Sequence, residues 1–349
     1  MRRGEYKVPG GKLVVAEVQV DDGVLSRVRI SGDFFLEPDE ALERIDEALR
    51  GLPADSSVGV LTDGVQAATA HADMIGFDAR SVAIAVRRAL GASTSWSDHT
   101  FEILQPGPLA PRENLALDQV LVEELGAGRR GPMLRMWEWT GSAAILGSFQ
   151  SVRNEVDLDA AARRGVQVVR RISGGGAMFV EPGNSITYSL YVPTTLVDGL
   201  SFEQSYAFLD DWVLGALREL GVQAEYVPLN DITSPQGKIG GAAQKRLAGG
   251  AVLHHVMMSY DIDAEAMTDV LRIGREKLSD KGTKSANKRV DPMRAQTQMP
   301  REDIVEALLG YFRRTYATIE GEVRESEFER VQHLVETKFS TEEWLHRVP

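Results

Sequence analysis

Three consecutive glycines, Gly174 to Gly176, stand between two hydrophobic runs in the stretch VVRRISGGGAMFVEPGNSITYSL, residues 168–190. The first run, VQVV, reads as a strand. The second alternates Ile186, Tyr188, Leu190 and Val192 on one face with Thr187, Ser189 and Tyr191 on the other, the period of a strand. A glycine triplet between two strands lets backbone N–H groups approach an anion closely, because no Cβ stands in the way. Arg170 and Arg171, directly before the loop, add fork-shaped positive charge. The stretch is suited to hold a carboxylate, a phosphate or both. The plainer alternative is a tight turn with two surface arginines.

The rest of the chain divides around this unit. Residues 1–92 read as a small α+β module. Two strands flank Asp21-Asp22-Gly23, and a helix follows Pro38 with Leu42, Ile45 and Leu49 on its apolar face. Val58 to Val65 reads as a further short strand, and Ser81 to Leu90 as a second helix. Residues 93–112, rich in Ser, Thr, Gly and Pro, read as a linker and domain entrance, and 113–349 as the larger domain. There Asn114 to Leu125 is a structural helix, and Glu327 to Leu334 wraps onto the same domain. Trp137 and Trp139 share one face of a strand, where they either line a long acyl slot or pack as a core pair.

A second polar group lies at 230–246. Asn230 and Asp231 are hard oxygen ligands suited to Mg²⁺, and Lys238 precedes Gly240-Gly241, which admit close approach of a ligand. Lys277, Lys281 and Lys284 fall in a basic stretch that either covers a nucleotide or is simply solvated. His254 and His255 are adjacent in a strand and face opposite ways, so they do not ligate one metal together. These parts suit activation of a carboxylate by ATP, in which positive groups meet the charge developing on phosphorus. The γ-phosphate loop GxxxxGK[ST] and the serine elbow GxSxG are both missing. A net charge of -12 argues against a duplex nucleic-acid partner. The absence of cysteine removes disulfides, thiolate metal sites and a cysteine nucleophile, and fits a reducing, cytoplasmic setting. No secretory signal or membrane span is expected.

Four segments, in order, resemble the motifs of the lipoate–protein ligase A family: RRISGGGAMFVEPGN, NDITSPQGKIGGAAQKR, VLHH and KLSDKGTKSANKRV. The resemblance implies an α+β fold with two domains. The larger is a biotin/lipoate-ligase-like catalytic domain with a mainly antiparallel sheet and packed helices. Residues 1–92 resemble the family's small accessory domain, here placed in front. The implied activity is ATP- and Mg²⁺-dependent ligation of lipoate or octanoate, through an acyl-adenylate, to a lysine of a lipoyl-domain or glycine-cleavage-H-like carrier. By position the resemblance puts Arg170, Arg171, Gly174, Gly175 and Gly176 on the acid and adenylate, Lys238 on the reacting centre, and Asn230 and Asp231 on the metal. Trp137, Met178, His255, Lys277, Lys281 and Lys284 complete the implied binding set. Val180 stands where the family has histidine, and His255-Val256-Met257 where it has His-Gly-Thr; both changes add apolar surface. Octanoyltransferases of this fold are expected to pass the acyl group through a cysteine, which is missing here. The alternatives are an ATP-independent octanoyl or lipoyl transferase and a non-catalytic scaffold that binds a lipoylated partner.

Overall fold

In a computed structural model the protein is described over residues 1–91, 93–272 and 290–349. Lys277, Lys281 and Lys284 lie outside the described residues. The chain divides into two compact units, Met1–Asp98 with Thr194–Asp211, and His99–Pro193 with Trp212–Pro349. The sequence does not show that 194–211 groups with the first unit. The reason is local. Buried Arg88 donates to the Leu196 carbonyl at 2.9 Å, and Phe208 stacks on Tyr6 with ring centroids 6.4 Å apart.

In the first unit β1 (Arg2–Lys7), β2 (Leu13–Asp21) and β3 (Val24–Gly32) form an antiparallel sheet. Asp22 (φ 51°) and Gly23 (φ 79°) turn the β2–β3 hairpin with the paired positive φ that such turns need. β4 (Phe35–Glu37), α1 (Ala41–Leu49), α2 (Val58–Ala68), β5 (Asp73–Ile75) and α3 (Ala79–Leu90) follow, β4 pairing with β5. The expected strand over 58–65 is therefore corrected to a helix. Ser57 caps it by accepting from the Val60 N–H, and the buried residues Leu61 and Val65 stand four apart, on one helical face.

The second unit begins with β6 (Thr100–Leu104), β7 (Pro108–Leu109), α4 (Pro111–Gly126), β8 (Met133–Trp139) and β9 (Ala143–Leu146). Next come α5 (Val152–Glu155), α6 (Leu158–Arg163), β10 (Gln167–Arg170), β11 (Met178–Val180) and β12 (Ser185–Pro193). α7 (Phe202–Glu219) carries the chain out of the first unit's second segment. β13 (Glu225–Val227), β14 (Asp231–Ser234), β15 (Gly237–Arg246), β16 (Ala251–Ser259) and α8 (Ala264–Val270) precede the undescribed stretch. After it come α9 (Met293–Thr297), α10 (Arg301–Thr315), β17 (Ala317–Gly321), α11 (Glu325–Leu334) and α12 (Glu342–Leu345).

Among the described residues these strands form a sheet in the order β13-β14-β15-β16-β12-β8-β6-β17, with β7 beside β8. The pairs from β13 through to β8 are antiparallel, and those at the β8-β6-β17 edge are parallel. The fold is thus the two-part α+β arrangement expected, with a mainly antiparallel sheet. α4 packs its apolar face on the sheet, where Leu117, Val120, Leu121, Trp137, Trp139 and Leu253 share one buried cluster. Each such side chain contributes about 1.5–3 kcal/mol of burial. α11 packs on α4, where Arg330 pairs with Glu123 at 2.6 Å. A separate small sheet, β10-β9-β11, presents the glycine loop. No helix among the described residues is long and apolar enough to cross a membrane.

Candidate functional site

The two arginines are split by strand geometry. Adjacent residues at the end of β10 point to opposite faces. Arg170 is 1% exposed, and its Nε and Nη2 donate to the Leu345 carbonyl at 3.0 and 2.6 Å, its Nη1 to that of Gly147 at 2.8 Å. The Trp344 indole N–H donates back to the Arg170 carbonyl at 2.9 Å. Arg170 therefore clamps the C-terminal helix α12 and is not turned to the glycine loop. Arg171 is. Its Nη2 donates to the carbonyls of Gly174 (2.6 Å) and Gly176 (2.9 Å), its Nη1 to that of Ile145 (3.2 Å), and its Nε to the Ser173 hydroxyl (2.9 Å).

This fork folds the loop with its carbonyls inward. Among the described residues the N–H groups of Gly174, Gly175 and Gly176 donate to no protein acceptor, and Gly175 and Gly176 are exposed. Two glycines are required sterically. Gly175 has φ +93°, and a Cβ there would lie 2.9 Å from Arg171 Nη2; a Cβ on Gly147 would lie 2.1 Å from the Gly175 carbonyl oxygen. Gly175→Ala should therefore displace the loop. We expect it to destabilise the protein by about 1–3 kcal/mol and to lower activity at least tenfold, read by thermal melting and by turnover. An unchanged melt and rate would show that the loop tolerates the side chain.

β15 brings the second polar group to the same place. Lys238 Nζ lies 2.7 Å from Asp231 Oδ1, with the lysine side chain 30% exposed and the aspartate 5%. A Cβ on Gly241 would lie 3.2 Å from that ammonium, so the charge sits over Gly241. Two residues on, Ala243 Cβ lies 3.8 Å from where a Gly175 Cβ would be. Gly241 and Ala243 point to one face of β15, roughly 7 Å apart along it. The ammonium and the glycine loop thus stand side by side on one face of the sheet. Asn230 is held by exchange with Ala242, its side-chain amide donating to the Ala242 carbonyl at 2.6 Å. Among the described residues no group of three or more His, Cys, Asp or Glu converges as a metal cage.

Further along the face the register runs Ala243 (β15), His255 (β16), Ser189 (β12), Arg135 (β8). Over this row α4 places Asp118, 1% exposed. His255 Nδ1 is 2.8 Å from Asp118 Oδ2, and His255 Nε2 is 2.6 Å from the Ser173 hydroxyl. Ser189 and Tyr191 donate to Asp118 Oδ1, and Arg135 Nη1 lies 3.6 Å from it. Burial, outweighing Asp118, holds the His255 imidazole below its ordinary value. Asp118 and Ser173 are missed by sequence reading. A visible signal existed: Asn114 and Asp118, four apart on the buried face of an apolar helix, are both polar.

Trp137 packs in the core beside Trp139, the second of the two readings that its strand position allows. It is 1% exposed, packs 5.0 Å from Trp139, and its N–H donates to Ser189 at 2.9 Å. Met178 stays half-buried on β11, opposite Ile145. Val180 and Val256 are buried.

Comparison with known proteins agrees with this arrangement. Residues 110–313, more than half of the chain, match the family model described as the lipoyl protein ligase A/B catalytic domain. The chain is similar to an octanoyltransferase LipM from Lysinibacillus sphaericus, 27% identical over 275 residues that cover 70% of this chain and 98% of that one. It is similar to the solved bi-partite lipoate protein ligase of Thermoplasma acidophilum, studied with its E2 lipoyl domain. The TM-score there is 0.62 and the identity 29%, over 72% of this chain and 98% of that one. A lipoate-protein ligase A solved with bound ATP gives a TM-score of 0.59 and 26% identity, over 71% of this chain and 98% of that one. The matched region contains the glycine loop, Arg171, Lys238 and His255, and the chain belongs to the lipoyl protein ligase A/B catalytic-domain family.

Proposed function

We propose that this chain activates free lipoate or octanoate with ATP and passes the acyl group to a lysine of a lipoyl-domain carrier. The observation that carries the reading is the absence of any cysteine from a chain whose site is otherwise rich in anion-binding groups. A transferase that holds its acyl group on a thiolate has no sulfur nucleophile here. Adenylation needs none, because the acid's own carboxylate oxygen attacks the α-phosphorus and pyrophosphate leaves. The carrier lysine then attacks the mixed-anhydride carbonyl, loses a proton, and AMP leaves. The similar ligase solved with ATP supports this route, and the one studied with its E2 lipoyl domain supports the carrier.

Each local feature has a task in this reading. The free N–H groups of Gly174 to Gly176 receive carboxylate or phosphate oxygens, with Arg171 holding their carbonyls away. Lys238 faces the reacting oxygens from the next position on the sheet, oriented by Asp231. The apolar tail runs past Met178. Asn230 and Asp231 fit Mg²⁺ in the limited sense that this cation takes one or two protein oxygens and completes its shell with phosphate and water. When bound it would offset phosphate charge, and it would share Asp231 with Lys238. The first unit takes the accessory role in forming the adenylate. The test is to mix the protein with purified lipoyl domain and either lipoate plus ATP or an octanoyl-carrier thioester without ATP. Mass gain on the carrier lysine with the first pair, accompanied by pyrophosphate, is expected. Gain only with the second would replace the ligase by a transferase.

A further inference from the structure

We propose that Asp118, His255 and Ser173 form a buried positioning relay that sets the Arg171 fork and hence the glycine loop, and that His255 must be neutral for it to work. The proposal rests on the acid-activating reading above and names residues to which that reading gives no task.

The donor directions are forced by chemistry. Arg171 Nε can only donate, so the Ser173 oxygen accepts from it at 2.9 Å. At the other end the Asp118 carboxylate can only accept, so His255 Nδ1, 2.8 Å away, carries a proton and donates to it. In the neutral imidazole Nε2 then has only a lone pair, which accepts the Ser173 proton at 2.6 Å. The chain runs in one sense, from Arg171 through Ser173 and His255 to Asp118. Protonating His255 makes Nε2 a donor, so the Ser173 proton must turn away and its oxygen must take a second donor beside Arg171 Nε, which reverses that link.

The distances are those of a Ser-His-Asp triad, yet Ser173 has no exposed surface and His255 is 6% exposed. The hydroxyl is instead turned to the arginine that holds Gly174 and Gly176. This geometry points to positioning and not to attack on substrate. The charged and titratable groups around His255 are Asp118 from α4, Arg171 before the loop, and His254 on its own strand. Beyond Asp118 stand Arg135 of β8 and Tyr191 of β12.

The test uses the full-length protein after acid-dependent pyrophosphate release has been shown for wild type. If that release is missing, the functional reading fails first, independently of the relay. With it in hand, Ser173→Ala, which removes one oxygen, should raise KM for the acid about tenfold and change kcat less. Wild-type kcat/KM for the acid should fall at low pH as His255 protonates. His255→Gln, whose amide does not titrate and whose oxygen can accept from Ser173, should lose that limb and retain more activity than His255→Ala. Circular dichroism confirms that each variant is folded; Ser173→Ala alone decides the matter if the histidine variants are not. Wild-type KM in Ser173→Ala, or an unchanged acidic limb in His255→Gln, would overturn the relay. So would an acyl group found on Ser173 by mass spectrometry of the quenched wild-type reaction, since it would make the serine a nucleophile.

Discussion

Replacing Lys238 with alanine should slow both half-reactions by about a hundredfold or more. Its ammonium stands beside the loop on the same face of β15, and the same mixed-anhydride oxygens are made in adenylation and broken in transfer. A group that meets charge in both transition states must affect both. The fold should survive. The backbone of Lys238 pairs with Thr233 and accepts from the Asp291 N–H at 2.8 Å, and neither bond needs the side chain. Weak acid binding through the loop should remain. Pyrophosphate release and single-turnover transfer from a synthetic acyl-adenylate measure the two steps separately. Near-full rates in both would remove Lys238 from the chemistry, whereas loss of one alone would confine it to that step.

Arg130→Met should have the largest effect on stability, about 3–5 kcal/mol, or roughly 10 °C in Tm. Arg130 Nε and Nη2 each lie 2.7 Å from a Glu327 oxygen, and the side chains are 1% and 2% exposed. The same guanidinium reaches Glu102 on β6 and the Glu322 carbonyl, so it joins the sheet edge to α11. The Glu327 hydrogen bond lifts Arg130 further above its already high ordinary value. Methionine fills the volume but leaves the Glu327 carboxylate buried beside an apolar group. The loss comes mainly from that uncompensated charge, so Glu327→Leu in the same protein should recover most of it. Denaturant melts of the single and double variants check this, and a single variant as stable as wild type would show that the cluster contributes little.

The parts of the site that can be read from sequence are those that announce themselves locally. A glycine triplet between two strand patterns, and a lysine ahead of Gly-Gly, are local signals, and both reach the same face of the sheet. Neighbouring residues in a strand cannot be told apart so easily: nothing in RR says that Arg170 turns to α12 and Arg171 to the loop. Asp118 is hidden for a different reason. Its four partners lie on three strands, 17 to 137 residues away, so only the folded sheet assembles them. The helix at 58–68 was obscured because its β-branched residues favour a strand locally, and the Ser57 cap with tertiary packing overrides that preference. Segment 194–211 joins the first unit through contacts to residues about a hundred positions earlier, which no local pattern encodes.

The central claim, activation of a free acid without an enzyme-bound thioester, is tested most directly before any carrier is added. The protein is mixed with ATP, Mg²⁺ and lipoate, quenched within one turnover, and assayed for small-molecule products. Lipoyl-adenylate and pyrophosphate are expected in equal amounts, formed only when both lipoate and ATP are present. No adenylate under these conditions, with octanoyl transfer from a carrier thioester proceeding in the same preparation without ATP, would contradict it.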